Sequence, residues 1–252
     1  MGKIRPNKWS KKYLILIFEL KKTFPDYYKY YGRRIAKRLS PSLNNIFTKN
    51  YYRFSLDEEI ISNLQHKLNY NLKLNTKFKK NIIEIGFGDG KHLFELAKSN
   101  KDHYFIGCEV FINGLGKILK KIIDYNLENI SLCGLNCIYL LNNIDDFSID
   151  QIYIINPDPW EKKRHFKRRL LNKEFISLLY KKIKKGGNVL ITTDSLSYYE
   201  AISKTIKMEK IEFEHVEAKL IDKGNKFYNI SKYQKKGIEE GRKIYLIRLN
   251  KI

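Results

Sequence analysis

A chain of 252 residues is long enough for one complete α/β domain with a short appendage. Hydrophobic residues make up 43% of it and aromatic residues 13%, which excludes an intrinsically disordered chain. No apolar run approaches the ~18 residues of a membrane span. Cys108, Cys133 and Cys137 form no C-x-x-C pair, so we expect buried, reduced thiols and a cytoplasmic protein.

The charge balance is strongly basic, with 49 Lys and Arg residues against 27 Asp and Glu residues and a net charge of +22. Such a charge favours a polyanionic partner, either nucleic acid or an anionic membrane, although lysine-rich composition alone also produces it. Arginine is scarce by comparison, and its planar guanidinium group binds phosphate in a bidentate way that lysine cannot reproduce. We therefore interpret the two arginine clusters as functional; they are Arg33, Arg34, Arg38 and Arg164, Arg168, Arg169.

Residues 1–75 show no repeating strand–helix pattern and are predicted to form a basic arm with short helices, one from Leu56 to about Leu68. Residues 76–252 are predicted to form one domain. Short apolar runs predict strands at 82–85, 104–108, 130–133, 151–155 and 189–193, and two further strands at 212–218 and 244–249. Helices are predicted after the first strand, at 115–125, and at 173–185, where Asn172 would be the N-cap and Gly186-Gly187 the stop signal.

Alternating strands and helices predict a doubly wound, Rossmann-like sheet. Two final strands without a long helix between them indicate an antiparallel edge. We therefore expect an α/β fold with a seven-stranded, mostly parallel sheet, which is typical of methyltransferases, and a basic N-terminal arm.

A glycine-rich loop follows the first predicted strand and opens the first helix. Gly86, Gly88 and Gly90 follow Glu84 in the spacing G-x-G-x-G, which differs from the G-x-G-x-x-G of dinucleotide folds. Glu109 ends the next strand about 20 residues later, where a carboxylate can accept both ribose hydroxyls of a nucleoside. A purely structural glycine turn is the alternative, but the glycine-rich loop and Glu109 together favour a nucleoside cofactor without a phosphate.

A basic segment, Asn156 to Arg169, follows the fourth strand. Two prolines restrict its start and hold Asp158 at the carboxyl edge of the sheet. Trp160 either stacks on a base or covers the end of the sheet. The six Lys and Arg residues that follow are dense enough for phosphate contacts, and their position beside the cofactor loop favours RNA binding over a merely solvated loop.

The run P-D-P-W-E-K-K-R-H-F-K-R-R resembles the signature of the bacterial tRNA (guanine-N7-)-methyltransferase family. The similarity extends from near Arg33 to Tyr245 and includes the glycine-rich loop, Thr193-Asp194 and the tail 231–241. The resemblance implies transfer of a methyl group from S-adenosyl-L-methionine to N7 of a guanine in tRNA, guanine 46 of the variable loop.

The resemblance also implies roles for individual residues, with Asp158 as the catalytic residue. The implied cofactor contacts are Glu84, Gly86, Gly88, Gly90, Glu109, Asn136 and Asp158. The implied guanosine and RNA contacts are Lys162, Arg164, His165, Phe166, Lys167, Arg168, Arg169, Asp194, Ser231, Lys232, Tyr233 and Gln234. The family has Asp at position 136 and Glu at 234; Asn136 keeps one acceptor oxygen, whereas Gln234 cannot accept two N–H bonds as Glu can.

Guanine N7 carries a lone pair and no proton, so its methylation needs no general base. Asp158 would then stabilise the positive charge that develops on the purine, and His165 would contact RNA. Two alternatives remain open. Asn156-Pro157-Asp158-Pro159 is loosely similar to the [DN]-P-P-[YF] turn of exocyclic-amine methylases, and a methyltransferase fold can also serve a non-enzymatic RNA-binding protein. No metal is expected, since neither H-E-x-x-H nor paired cysteines occur.

Overall fold

The computed structural model describes residues 40–65, 71–208, 213–218 and 232–252. The first arginine cluster (Arg33, Arg34 and Arg38) and Ser231 lie outside these residues, so their predicted contacts stay predictions. Within the described ranges, no helix combines the length and the apolar character that a transmembrane span requires.

The helices and strands alternate along most of the described chain. The helices are α1 (Pro41–Phe54), α2 (Asp57–Gln65), α3 (Lys91–Ser99), α4 (Ile112–Asp124), α5 (Cys137–Asn142), α6 (Lys173–Lys182), α7 (Leu196–Met208) and α8 (Lys232–Glu239). The strands are β1 (Lys80–Ile85), β2 (His103–Cys108), β3 (Ile130–Cys133), β4 (Ile149–Ile155), β5 (Ile183–Thr193), β6 (Phe213–Ala218) and β7 (Tyr245–Lys251). A 3-10 helix spans Lys163–Arg168.

One seven-stranded sheet has the order β3-β2-β1-β4-β5-β7-β6. The pairs from β3 to β5 are parallel, whereas β7 runs antiparallel to both β5 and β6. The order reverses beside β1, which creates the switch point where doubly wound sheets bind their ligands. The predicted Rossmann-like fold class, a mostly parallel sheet with an antiparallel edge, is confirmed.

Helices cover both faces of this sheet. Ile83 and Ile85 of β1 belong to a core that α2, α5, α6 and α7 share, and the adjacent Ile82 belongs to the opposite core, to which α1, α3 and α4 contribute. Successive strand residues point to opposite faces, so a strand buried on both sides reads as a continuous apolar run. That is why the short run at 82–85 predicted β1.

The register of the parallel strands brings their carboxyl ends to one edge. Ile85 at the end of β1 pairs with Cys108 of β2 and Ile154 of β4, and Ile155 pairs with Thr192 of β5. The loops that follow these four strands therefore meet along one line, and the candidate site residues on them become neighbours although they are far apart in sequence.

The described part of the N-terminal region packs on the domain. The Ser40 side chain accepts a hydrogen bond from the Leu43 amide and caps α1, and Phe47 and Tyr51 of that helix are buried. The helix predicted from Leu56 is α2. The predicted division of the chain at residue 75 stays a prediction.

The predicted end of α6 is wrong, although its predicted N-cap is confirmed by the Asn172 side chain, which accepts a hydrogen bond from the Phe175 amide. The helix ends at Lys182, and Gly186 and Gly187 lie inside β5. The pairing of β4 with β5 shifts register just there, and Gly186 has a φ of 78°. The glycines therefore accommodate an irregularity in the strand, which is the other common use of glycine in this setting.

A buried carboxylate joins the two N-terminal helices to the loop after β3. One Asp57 oxygen accepts a hydrogen bond from the Tyr51 hydroxyl at 2.8 Å, and the other accepts from the Gly134 amide at 2.9 Å. Burial raises the pKa of Asp57 from its ordinary 3.8 to about 6, against the opposing effect of these hydrogen bonds. The charged form of Asp57 therefore lowers the free energy of unfolding of the protein.

We predict that Asp57→Asn is more stable than the wild type near neutral pH. Asn can still accept from the Gly134 amide and can donate to the Tyr51 oxygen. Because the folded-state pKa is raised, the folded protein binds the extra proton between about pH 4 and pH 6, and the stability contributed by that proton is lost as the pH rises through 6. Urea unfolding should show the advantage of Asp57→Asn to be about 2 kcal/mol larger at pH 7.5 than at pH 4.5. An advantage independent of pH would contradict this assignment.

Candidate active site

A cavity of about 840 Å³ lies at the carboxyl edge of the sheet, beside the switch point. It is lined from the ends of β1 and β2, from the loop after β3, from the loop after β4 and from the first part of α6. Cys108 and Cys137 contribute thiols to the wall. All three cysteines are buried and free, as predicted, and burial raises the pKa of Cys137 to about 12, so its thiol stays protonated.

The glycine-rich loop reaches the cavity at Gly86, whereas Gly88 and Gly90 are not part of the cavity wall. Gly86, Gly88 and Gly90 all have positive φ angles, between 60° and 73°. At Gly90 a side chain is excluded twice, because of its φ of 70° and because a Cβ would lie 2.7 Å from Ile118 of α4. Gly114 of α4 was not predicted as a site residue. It also allows the loop to lie close to α4, because a Cβ there would collide with the Gly88 carbonyl. The loop therefore packs directly on α4.

Glu109 holds this loop from the neighbouring strand. One carboxylate oxygen accepts the Gly88 amide at 2.9 Å, and the other accepts the Phe111 amide at 2.9 Å. Burial raises the pKa of Glu109, the two amides oppose that shift, and the negative charge of Asp158 adds to it. Glu109 and Asp158 both line the cavity, whose wall also holds three basic residues of the signature segment.

Glu84 lies behind the loop and does not itself line the cavity. Its carboxylate is 2.9 Å from Nδ1 of His92 on α3, and both side chains are buried. The His92 ring in turn meets the ring of Tyr153 edge-on. Glu84 thus fixes the start of α3, and its implied contact with the cofactor stays a prediction.

Asn136 lines the cavity as the N-cap of α5. Its side-chain oxygen accepts from the Ile138 amide at 3.0 Å. The oxygen that the resemblance assigns to the cofactor therefore already caps a helix, and the Cys137 thiol donates to it as well, at 3.7 Å. The implied cofactor contact of Asn136 stays a prediction.

Asp158 lies exposed at the mouth of the cavity, on a loop with an unusual backbone. Asn156 and Trp160 bracket the loop with φ angles of 49° and 46°. The Asn156 side-chain oxygen accepts from the Thr192 hydroxyl at 3.0 Å and from the Gln234 amide at 3.1 Å. Positive φ in residues with side chains persists only where surrounding contacts impose it, and at Asn156 these two hydrogen bonds do so.

The basic segment forms a 3-10 helix beside this mouth. Lys162, Arg164, Phe166 and Lys167 are exposed, and Lys167 lines the cavity together with Arg168. The Arg168 guanidinium lies 4.9 Å from the Trp160 ring centroid, and the His165 ring meets Trp160 edge-on at 5.7 Å. Desolvation, with the positive charges of Arg168, Arg164 and Lys162, lowers the pKa of His165.

Arg169 differs from the other basic residues of the segment because it is only 7% exposed. Its guanidinium donates to the Pro159 carbonyl and to Ser197. This placement does not support the implied phosphate contact for Arg169, because the guanidinium is already engaged inside the fold. Arg164 and Lys167 are exposed, and their implied RNA contacts stay predictions.

Asp194 and the tail residue Gln234 lie behind the Asp158 loop. Asp194 forms an ion pair with Arg242 at 2.6 Å, a partner that the sequence reading missed. Gln234 is 1% exposed and donates to the Thr192 hydroxyl as well as to Asn156. It supports the loop backbone, and its implied guanine contact stays a prediction. Lys232 and Tyr233 begin α8, but their side chains lie outside the described residues.

The described ranges contain no group of three or more His, Cys, Asp or Glu side chains arranged to hold a metal ion. The donor set of the cavity suits an organic cation instead. The carboxylates of Glu109 and Asp158 would attract a sulfonium and accept hydroxyl groups, whereas they would repel a pyrophosphate.

Comparison with solved structures shows the same fold. A variant of the 16S rRNA (adenine(1408)-N(1))-methyltransferase of Catenulisporales acidiphilia superposes with a TM-score of 0.51 at 12% identity, covering 72% of this chain and 95% of that one. The family model described as "Putative methyltransferase" matches residues 78–247. Fold and site together define an α/β methyltransferase, a class whose methyl donor is S-adenosylmethionine.

Relatives identify the family more closely. The tRNA (guanine-N(7)-)-methyltransferase of Wolbachia pipientis is 32% identical over 217 residues, covering 85% of this chain and 89% of that protein. The "Bifunctional methyltransferase" of Rickettsia typhi is 35% identical over 213 residues, and the match spans 84% of this chain but only 38% of that longer protein. The chain belongs to the bacterial tRNA (guanine-N7-)-methyltransferase family, as its signature predicted.

We predict that Glu109→Ala weakens S-adenosylmethionine binding by about 2 kcal/mol, because charge-assisted hydrogen bonds disappear and the glycine-rich loop loses its tie. Calorimetry should report a Kd raised about 30-fold. Glu128→Ala is the matched control, since Glu128 is exposed before β3 and does not line the cavity. Unchanged affinity in a folded Glu109→Ala protein would remove Glu109 from the cofactor site.

Proposed function

We propose that this protein methylates N7 of a guanine in tRNA, guanine 46 of the variable loop, with S-adenosylmethionine as the donor. The observation that carries the proposal is the placement of the signature segment: Asp158 lies at the mouth of the cofactor cavity, and the exposed Arg164 and Lys167 lie on the helix beside it. The relatives of this chain that carry the name tRNA (guanine-N(7)-)-methyltransferase support it.

The bound donor supplies an electrophilic methyl group on a positively charged sulfur. Glu109 and the glycine-rich loop hold the nucleoside part, and Asn136 and Glu84 support the loops around it. Alignment of the reactants is the main catalytic contribution, because N7 needs no deprotonation; proximity can supply roughly 7–11 kcal/mol in such reactions.

Asp158 faces the purine as it becomes cationic, and a fixed carboxylate there stabilises charge that develops only in the transition state. His165 is not needed as a base. Its lowered pKa favours the neutral ring, which suits a packing contact with Trp160 and a hydrogen bond to RNA.

The basic side chains around the mouth bind the tRNA backbone. Lys162, Arg164 and Lys167 are exposed, so their side chains are suited to contacts with the phosphates of a bound tRNA. Asp194 and the segment 231–234 approach the guanosine. The basic residues of the range 1–75, among them Arg33, Arg34 and Arg38, also contact the tRNA in this proposal. We place the protein in the cytoplasm, with its tRNA substrate.

Mass spectrometry of nucleosides from bulk tRNA, after incubation with the protein and isotopically labelled donor, tests the proposal. The expected product is labelled 7-methylguanosine. Labelled N6-methyladenosine would indicate instead an exocyclic-amine methylase. Absence of label despite measurable affinity for the donor and for tRNA would indicate a non-enzymatic RNA-binding protein.

We predict that Asp158→Ala lowers the turnover number about 100-fold while leaving donor affinity within a few-fold of the wild type. The reason is that Asp158 acts on charge that appears during the transfer, whereas Glu109 holds the bound donor. Single-turnover kinetics with saturating tRNA measures the effect. Turnover near the wild-type value would show that Asp158 is only a turn residue.

A further inference from the structure

Arg169 forms an unusually complete set of contacts for an arginine in a basic surface segment. Its Nε donates to the Pro159 carbonyl at 2.7 Å, Nη2 donates to the Ser197 hydroxyl at 2.9 Å, and Nη1 donates to the Ser197 carbonyl at 3.3 Å. All three guanidinium nitrogens therefore have partners inside the protein, and the side chain is 7% exposed.

Two aromatic rings fix the plane of this guanidinium. Its central carbon lies 3.9 Å from the Phe166 ring centroid and 4.8 Å from that of Tyr198. The Tyr198 hydroxyl also accepts from the Leu171 amide at 3.0 Å, which anchors the ring itself. A flat, delocalised cation can stack and donate in its plane at the same time, whereas the ammonium of lysine cannot.

The contacts join two loops that carry different parts of the site. Pro159 directly follows Asp158 on the loop after β4, and Ser197 lies in the first turn of α7, three residues after Asp194 on the loop after β5. A second tie runs in parallel, because the Ser197 hydroxyl donates to the Glu161 carboxylate at 3.1 Å. The two loops are thus bound together through one guanidinium and one serine.

We propose that Arg169 is a positioning residue that sets Asp158 relative to Asp194, and that it contacts no phosphate of the RNA. The role rests on the proposed function, in which Asp158 serves the transfer and Asp194 approaches the guanosine. A shift of about 1 Å in a reacting group costs on the order of 100-fold in rate. The Arg169 contacts that connect the two loops, called here the loop joint, therefore control turnover without touching the substrate.

The first test compares Arg169→Gln with Arg164→Gln, two neighbouring arginines that lose the same charge. The affinity for tRNA is measured against salt concentration. Arg164→Gln should reduce the salt slope by about one, as expected for a lost phosphate contact, and Arg169→Gln should leave the slope unchanged. A slope reduced by about one in Arg169→Gln would overturn the proposal.

The second test concerns turnover. Arg169→Lys keeps the charge but cannot serve Pro159 and Ser197 together, so its turnover number should fall about 30-fold or more while KM for tRNA changes little. Ser197→Ala removes one of the three acceptors and should lower turnover several-fold in the same manner. In the double variant the second change should add little, because both act through one joint. Additive losses, or wild-type turnover in both single variants, would overturn the proposal.

A readout without catalysis separates this proposal from the proposed function. In a Trp9→Phe background, Trp160 is the remaining tryptophan and reports on the Asp158 loop. Acrylamide should quench its fluorescence more strongly in Arg169→Lys and Ser197→Ala than in the parent, with thermal melting confirming that the variants are folded. Unchanged quenching would refute the joint even if the protein methylates tRNA. Increased quenching in a protein inactive on tRNA would leave the joint standing and refute only the reaction.

Discussion

The parallel pairing of β1 with β2 and β4, and of β2 with β3, is the constraint on which the site depends. Because β1, β2, β3 and β4 end at one edge, the loops that follow them, which are distant in sequence, form a single cavity. Each loop then needs only short-range contacts to hold its functional side chain. Glu109 ties the glycine-rich loop, Gln234 and Thr192 hold Asn156, and Arg169 ties the Asp158 loop to α7.

The parts of this arrangement that depend on local chemistry could be predicted from the sequence. Short apolar runs indicated the strands, glycine spacing indicated the loop after β1, and the Asn172 cap indicated where α6 begins. The end of α6 was missed because glycine has two uses, helix termination and strand irregularity, and only the pairing of β5 with β4 decides between them. Local sequence carries no information on that pairing.

The partners of long side chains could not be predicted either. Arg169 and Gln234 look like surface or substrate contacts in the signature and the tail, yet both are buried by elements far away in sequence. Arg242 gave no signal at all before the structure paired it with Asp194. The arginines in this lysine-rich chain were interpreted as phosphate contacts, but the Arg169 guanidinium stacks on aromatic rings and donates to the Pro159 carbonyl and to Ser197. Phosphate remains the proposed partner at position 164.

The insertion of β7 between β5 and β6 has a consequence for synthesis on the ribosome. Residues 213–218 are synthesised before residues 245–251, the strand with which they pair in the described part of the chain. At about 5–20 residues per second, the gap lasts roughly 2–7 s. Meanwhile the far edge of β5 also has unpaired backbone groups, which is a state prone to association with other chains. The sheet is therefore completed only when β7 has left the ribosome, and until then β5 and β6 each keep an open strand edge.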